Sequence, residues 1–321
     1  MLKRLVNSAR ISFTITPVDP LLIKSGQATV GGVDMSFVRT RRNDGKDEPF
    51  IPGSSLKGVI RSYSEKICRS LRPNGPVPVC LPYVAPGKEK PGEECQASCG
   101  LRLEAKKDRL PTTDSYHYSC PACRLFGSHV FTGRYKSSDA YLTHPGKFIP
   151  EVRDGVAIDR LTGGAVPGAK YDLEVLVSGE FSTSIEIQNF ERWQLGLVSL
   201  TLRDMEEELI RLGSGASRGL GRVRAKVTSF VLDYYGTAPN GFVGLAALCN
   251  SKERQDYGLF SERAGAGPLP AMERRGIRHC CDITAAWKEI LAPAVDDLTA
   301  YVGGVAWPTA LDVYLKKGDT P

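Results

Sequence analysis

Residues 49–71, PFIPGSSLKGVIRSYSEKICRSL, place Leu56, Val59, Ile60, Tyr63, Ile67 and Leu71 at helical spacing, with Ser54 or Ser55 available as a cap. This helix is the most firmly specified element of the chain, and the segments around it follow a different period. Residues 9–17 set Ile11, Phe13 and Ile15 on one face and Ser12, Thr14 and Thr16 on the other, as a half-buried strand does. Two more strand-like runs, YDLEVLVSGEF and SIEIQ, lie within residues 156–189, after the turn-rich GVAIDRLTGGAVPGA. LVSLTLRDMEEELIRL then puts Val198, Leu202, Met205 and Leu209 on one helical face, with glycine expected to end the helix. RVRAKVTSFVLDYY alternates as a last strand.

The order strand, helix, strand, strand, helix, strand predicts a ferredoxin-like, or RRM-like, α+β domain over residues 1–234. Residues 24–48 read as a long loop, and residues 73–127, rich in Pro, Gly, charge and cysteine, as an insertion. Residues 235–321 look like an appended C-terminal extension of unknown role, with one helix near ITAAWKEIL. Apolar residues make up 41% of the chain, enough for a core, and no apolar run reaches the ~18 residues of a membrane span. Residues 1–80 carry 13 Lys and Arg against 6 Asp and Glu, while the remainder is nearly neutral. Such asymmetry fits either a polyanion partner such as nucleic acid or an ordinary solvated surface. The first residues lack a secretory h-region, and nine cysteines, an odd number, suit a reducing compartment, so a cytoplasmic protein is expected.

Three motifs carry chemistry. The helix start at Pro52-Gly53-Ser54-Ser55-Leu56-Lys57-Gly58 offers backbone amides to an anion, with Lys57 and Arg61 on one helical face beside it. It lacks P-loop spacing. Residues 213–221, GSGASRGLG, sit between a helix and a strand, the reverse of a dinucleotide-binding turn. That leaves a loop able to approach a partner closely, with Ser214, Ser217 and Arg218 as phosphate donors, or a plain turn. Cys95-x3-Cys99 and Cys120-Pro-Ala-Cys123 stand at a separation close to that of structural zinc sites, with Cys80 a fifth candidate and His117 a sixth. The expectation is a closed structural Zn²⁺ site drawn from Cys80, Cys95, Cys99, Cys120 and Cys123. A redox pair lacks a thioredoxin-like context, and a zinc hydrolase would need an open coordination position. His129 and His144 are assigned nothing.

Taken together, Leu22-Ile23-Lys24-Ser25-Gly26, Gly32-Val33-Asp34, the Pro-Gly-Ser-Ser-Leu-Lys-Gly segment with Arg61, Cys120-Pro-Ala-Cys123-Arg-Leu-Phe-Gly127 and the spaced Gly215, Gly219 and Gly221 resemble the repeat-associated mysterious protein (RAMP) superfamily. More narrowly, the set is similar to the backbone subunits of type III CRISPR effectors, over about residues 9–233. The resemblance implies copies lined up along a guide RNA (crRNA), bound through Lys24, Ser54, Ser55, Lys57, Arg61, Ser214, Ser217, Arg218 and Gly219. It implies a β-hairpin thumb over residues 155–168, with Asp159, Leu161 and the RNA contacts Arg160 and Thr162, which kinks the guide–target duplex.

Asp34 follows two glycines and by itself reads as a turn residue. Its place in the resemblance makes it the catalytic carboxylate of a metal-dependent endoribonuclease acting on target RNA, with Mg²⁺ or Mn²⁺. The implied partners are guide RNA, target RNA, further backbone copies or paralogues, and other CRISPR effector subunits, including the large polymerase-like one. Two alternatives stay open: a non-catalytic guide-binding scaffold and a guide-processing endoribonuclease.

Overall fold

The computed structural model describes residues 2–26, 32–42, 45–88, 97–105, 110–262, 265 and 267–316. Strand β1 (Asn7–Pro17) is followed by the short hairpin β2 (Arg39–Arg41) and β3 (Asp47–Ile51), then helix α1 (Gly53–Leu71). Three short helices, α2 (Cys99–Glu104), α3 (Thr112–His117) and α4 (Pro121–Phe126), lead into the small strands β4 (Gly127–Ser128), β5 (Phe131–Thr132), β6 (Tyr135–Ser137) and β7 (Ala140–Leu142). A long hairpin, β8 (Ile149–Ile158) and β9 (Ala165–Ser178), precedes β10 (Phe181–Gln188), helix α5 (Arg192–Glu206) and β11 (Val223–Tyr235). The C-terminal part adds α6 (Leu245–Leu248), α7 (Ser251–Asp256), β12 (Glu273–Arg275), β13 (Arg278–Asp282), α8 (Trp287–Ile290), α9 (Ala292–Gly304) and α10 (Thr309–Lys316).

The protein is a mixed α+β structure around an antiparallel sheet in the order β12-β13-β11-β1-β10-β7-β3-β2, with β6 also paired to β10. Its centre, β11-β1-β10, joins three of the four strands read from the sequence, but the fourth, YDLEVLVS in β9, lies in a separate two-stranded sheet with β8, and β6 and β7 take the place beside β10. The pleat decides which face is buried: Ala9, Ile11, Phe13 and Ile15 of β1 and Phe181, Ile185 and Ile187 of β10 are in the core. In β11 the buried set changes phase, from Val223 and Ala225 to Phe230, Leu232 and Tyr234. A bulge makes this possible, because Ser12 pairs with Ser229 while Phe13 pairs with Val227, leaving Thr228 as the extra residue.

Helices α1 and α5 contribute Leu56, Ile60, Trp193, Leu197, Val198 and Leu202 to the same core. Helix α5 starts at Arg192, earlier than its amphipathic pattern suggests, and stops at Glu206, so Leu209 is exposed. The stop is not a glycine: Glu208 takes a left-handed φ of 64° directly after Glu207.

The sequence predicts an appended region over 235–321, yet its described elements are built into this core. Strand β13 extends the sheet beside β11, and Trp287, Leu291, Ala294, Leu298, Tyr301 and Trp307 pack into the main cluster. They do so because α5 is buried on both sides and needs α9 as a cover. Gly196 permits the close crossing, since a Cβ there would lie 2.1 Å from the Ala294 carbonyl oxygen. Arg192 and Asp297, whose side chains are 1% and 0% exposed, pair at 2.7 Å across the same interface. Truncating one partner strands a buried charge, so Asp297→Ala should cost about 3–5 kcal/mol of stability, read as a lower urea midpoint at unchanged slope.

Candidate nucleic-acid interface and cysteine centre

A second, small apolar cluster organises the site. Leu22, Leu173, Val175 and Leu220 are buried together, with Met35, Tyr171 and Val177 against them. These residues come from three segments that are remote in sequence: the chain after β1, the strand β9, and the Gly-rich loop. Leu21 pairs with Leu176, Lys24 with Phe37, and Met35 runs parallel to Leu173, so part of the expected long loop is sheet-like. Glu174 locks this pairing by accepting hydrogen bonds from the Phe37 amide at 3.0 Å and from Arg39 at 2.8 and 2.5 Å. The Arg39 guanidinium thereby holds the Glu174 carboxyl below the usual glutamate range.

Asp34 is exposed beside this cluster, and its Oδ2 accepts a hydrogen bond from the Asp172 amide at 3.0 Å. The neighbouring residue, Tyr171, accepts a 2.7 Å hydrogen bond from Arg218 Nη1. Asp34 and Arg218, 184 residues apart in sequence, are thus held by adjacent residues of β9. Asp154 and Lys170 pair at 3.1 Å next to them. Lys170 holds Asp154 below the carboxylate range, and the hydrogen bond with Asp154 pushes Asp172 above it.

In the Gly-rich loop, Gly213, Gly215, Gly219 and Gly221 all have φ between 75° and 83°. Gly213 and Gly221 are also sterically required, because a Cβ would meet the carbonyl oxygens of Leu22 and Leu212 at 2.1 and 2.2 Å. The Ser214 amide donates to Leu22 at 2.8 Å, while Ser217, Arg218 and Gly219 are exposed at the loop's turn. A groove of about 370 Å³ lined by Gly58, Ser62, Lys66, Arg211 and Ala216 runs between this loop and helix α1. Lys24, Ser54 and Ser55 are also exposed.

The start of α1 differs from the reading as a serine-capped anion site. Its cap is Pro52, and the Gly53 amide is occupied by the Asp139 carboxylate at 2.6 Å. Lys57 and Arg61 project away from the groove into a separate cleft of about 380 Å³, shared with Tyr83, Ser98, Ser128 and His129. Lys57 donates to the Tyr135 carbonyl at 3.4 Å, and burial together with Arg61 lowers its pKa. Arg61 bonds Glu65 at 3.0 Å, the Gly127 carbonyl at 3.0 Å and Cys123 Sγ at 3.4 Å. It is therefore tied to the cysteine centre.

That centre consists of Cys80, Cys99, Cys120 and Cys123, all buried, with sulfurs within 4.8 Å of one another. Cys95 lies outside the described residues. Cys80 Sγ is 3.5 Å from Cys123 Sγ and 3.7 Å from Cys120 Sγ. A disulfide would bring sulfurs to about 2.05 Å, whereas tetrahedral ligation at ~2.3 Å from a metal separates them by about 3.8 Å. The donor set fits a structural metal with no open position. Helix starts present two of the ligands: Cys99 follows the Ser98 cap of α2, and Cys120 caps α4 with its sulfur accepting from the Cys123 amide at 3.5 Å. The Cys120 amide in turn donates to Cys99 Sγ at 3.3 Å. His117 is not in the group, being stacked on Tyr118.

At the tip of the β8–β9 hairpin, Asp159 accepts from the amides of Leu161 and Thr162 and from the Thr162 hydroxyl, shaping the turn. The hairpin begins at Ile149, well before the expected residue 155, and Leu161 is 97% exposed. The outer sheet face shows Arg10, Ser12, Thr14 and Thr16 from β1 and Ser182, Ser184, Glu186 and Gln188 from β10, with no aromatic side chain among them for base stacking. Much of the N-terminal positive charge is internally paired: Arg4, Arg10, Arg39, Arg41, Arg42 and Arg61 each face a carboxylate.

Among known proteins, the family model described as the RAMP superfamily matches residues 14–224, about two-thirds of the chain. No curated protein matches. Among the described residues no helix is long and apolar enough to cross a membrane.

Cys123→Ser should abolish binding of one metal ion per chain, measured by elemental analysis, and lower the melting temperature. Cys68→Ala, outside the set, should keep the metal. The Arg39–Glu174 pair contributes fully above the ordinary glutamate pKa and is lost as pH falls through Glu174's lowered one. The stability difference between wild type and Glu174→Gln should therefore vanish in acid, as read by urea titrations at stepped pH.

Proposed function

Because this chain belongs to the RAMP superfamily, whose members point to a CRISPR-associated RNA-binding subunit, we propose that it is a guide-RNA-binding backbone subunit of a type III effector. We propose further that it cleaves guide-paired target RNA at Asp34. The observation that carries this reading is the convergence on β9, where Asp34 and the Gly-rich loop's Arg218 are held by Asp172 and Tyr171.

In this reading, exposed Ser217, Arg218 and the open backbone at Gly219 grip a phosphate, and the groove beside α1 tracks the strand. The hairpin tip with Arg160 and Thr162 enters the guide–target duplex as the thumb. Asp34, fixed through one oxygen by a backbone amide, orients the 2′-hydroxyl of a splayed nucleotide. A Mg²⁺ or Mn²⁺ ion held by that carboxylate would stabilise the charge that develops on the phosphate. In the cysteine centre the metal is Zn²⁺, with a structural role, pinning the insertion against α1 through Arg61. Guide RNA, target RNA, neighbouring backbone copies and the other effector subunits are the partners, in the cytoplasm.

A specific observation favours a second reading. The Asp34 carboxylate already serves as an acceptor for the Asp172 amide, the part a structural turn residue would play in a non-catalytic scaffold. Asp34→Asn separates the two readings, since the amide oxygen still accepts that bond while the charge is gone. With labelled target RNA, guide-loaded complex and Mg²⁺ on a denaturing gel, the ribonuclease reading expects cleavage to fall ~10²-fold or more with binding retained. Unchanged products, or none in wild type, would establish the scaffold. In a salt titration of RNA binding, Arg218→Ala should weaken binding alike for all sequences and reduce the salt slope by about one.

A further inference from the structure

We infer that Tyr171 is a positioning residue that presents Arg218 to an RNA phosphate and couples the Gly-rich loop to the hairpin. The inference rests on the reading of that loop as a phosphate grip.

Three observations converge on it. First, Tyr171 lies opposite Gly155 in the β8–β9 ladder, and a Cβ on Gly155 would fall 2.3 Å from the ring atoms Cε2 and Cζ. The ring therefore lies over the glycine, in space that only a missing side chain provides, and the phenol is fixed across the strand rather than free to rotate. It also packs against the apolar cluster of Leu22, Leu173, Val175 and Leu220.

Second, the loop does not itself fix the arginine. Arg218 ends the single 3-10 turn Ala216–Arg218 between two left-handed glycines, and nothing lies within 4 Å of where a Gly219 Cβ would be. A long guanidinium side chain there loses much rotamer freedom on binding a phosphate, and a tether at 2.7 Å removes part of that loss beforehand.

Third, the tether is neutral. The neighbouring arginines are matched to carboxylates: Arg211 and Arg222 to Asp19, and Arg222 and Arg224 to Glu208. Arg218 instead donates to a phenol oxygen, so it is oriented without having its charge cancelled. One donor is used out of the five of a guanidinium, which leaves the fork for bidentate contact with a phosphate. Since the next amide, that of Asp172, holds Asp34, any displacement of β9 moves the grip and the carboxylate together.

The test is a double-mutant cycle on the full-length chain, with fluorescently labelled single-stranded RNA and anisotropy across a salt series. Tyr171→Phe keeps the ring over Gly155 and removes only the hydroxyl, so thermal stability should be unchanged while RNA affinity falls by about fivefold. The salt slope should drop as it does in Arg218→Ala, a readout that a purely structural phenol would not move. The double variant should bind no more weakly than Arg218→Ala alone. If Arg218→Ala weakens binding while Tyr171→Phe does not, or if the two losses simply add, the positioning role is overturned and the grip survives. If Arg218→Ala binds as wild type, the grip itself fails and the positioning role with it.

Discussion

The two hydrogen-bond ladders flanking β1 fix where every other element of this molecule can lie. With β10 on one side and β11 on the other, β1 can turn only one face, that of Ile11, Phe13 and Ile15, toward the helices. The bulge at Thr228 lets the partner strand run for 13 residues without ever turning its apolar side outward. Beyond Pro17 the chain must leave the sheet at that end, and it delivers Leu21 and Leu22 directly against β9 and the Gly-rich loop. The satellite cluster is thus a consequence of the ladder. It joins three segments that have too little apolar surface to fold alone.

The charges obey a similar division. Deep ion pairs such as Arg192–Asp297 and Arg124–Glu191 hold elements together and are closed to any partner. Arg61 belongs with them more than its sequence context suggests, because its guanidinium spans Glu65, Gly127 and Cys123. A metal held by four thiolates carries excess negative charge, and a neighbouring arginine is the natural counter-ion. Lys57, with only a long contact to a carbonyl, is left as the cation that faces the open cleft.

Periodicity made β1, α1, β10 and β11 legible, since each buries one face and exposes the other. It failed where burial is all-round: the first turn of α5, with Arg192, Trp193 and Gln194 all buried, has no polar face to set a phase. The C-terminal elements escape periodicity for the related reason that α9 is defined by what it covers, and no local pattern announces a cover. Among the cysteines, spacing singled out the two pairs but could not decide between Cys80 and Cys95. That choice depends on how the insertion folds back over α1, and the four-cysteine group includes Cys80. The roles of Tyr171, Asp172 and Glu174 left no local signal either, because each acts through a partner more than forty residues away. The pairing of a glycine with an aromatic across a hairpin is the one trace the sequence held, and it becomes readable only once the register is known.

The β8–β9 ribbon is anchored at one end and bare at the other. Its stem is anchored by Leu173 and Val175, opposite Arg153 and Glu151, while beyond them Val156 and Ile158 and, in the turn, Leu161 are left in water over about 17 Å of strand. A two-stranded ribbon beyond its anchor is marginal by itself. Pairing up to Ile158 and the turn at Asp159 shape its outer half, which presents those side chains to water. The stem, tied into the satellite cluster, sets the direction of the ribbon, and the apolar side chains beyond it gain stability from any surface that covers them.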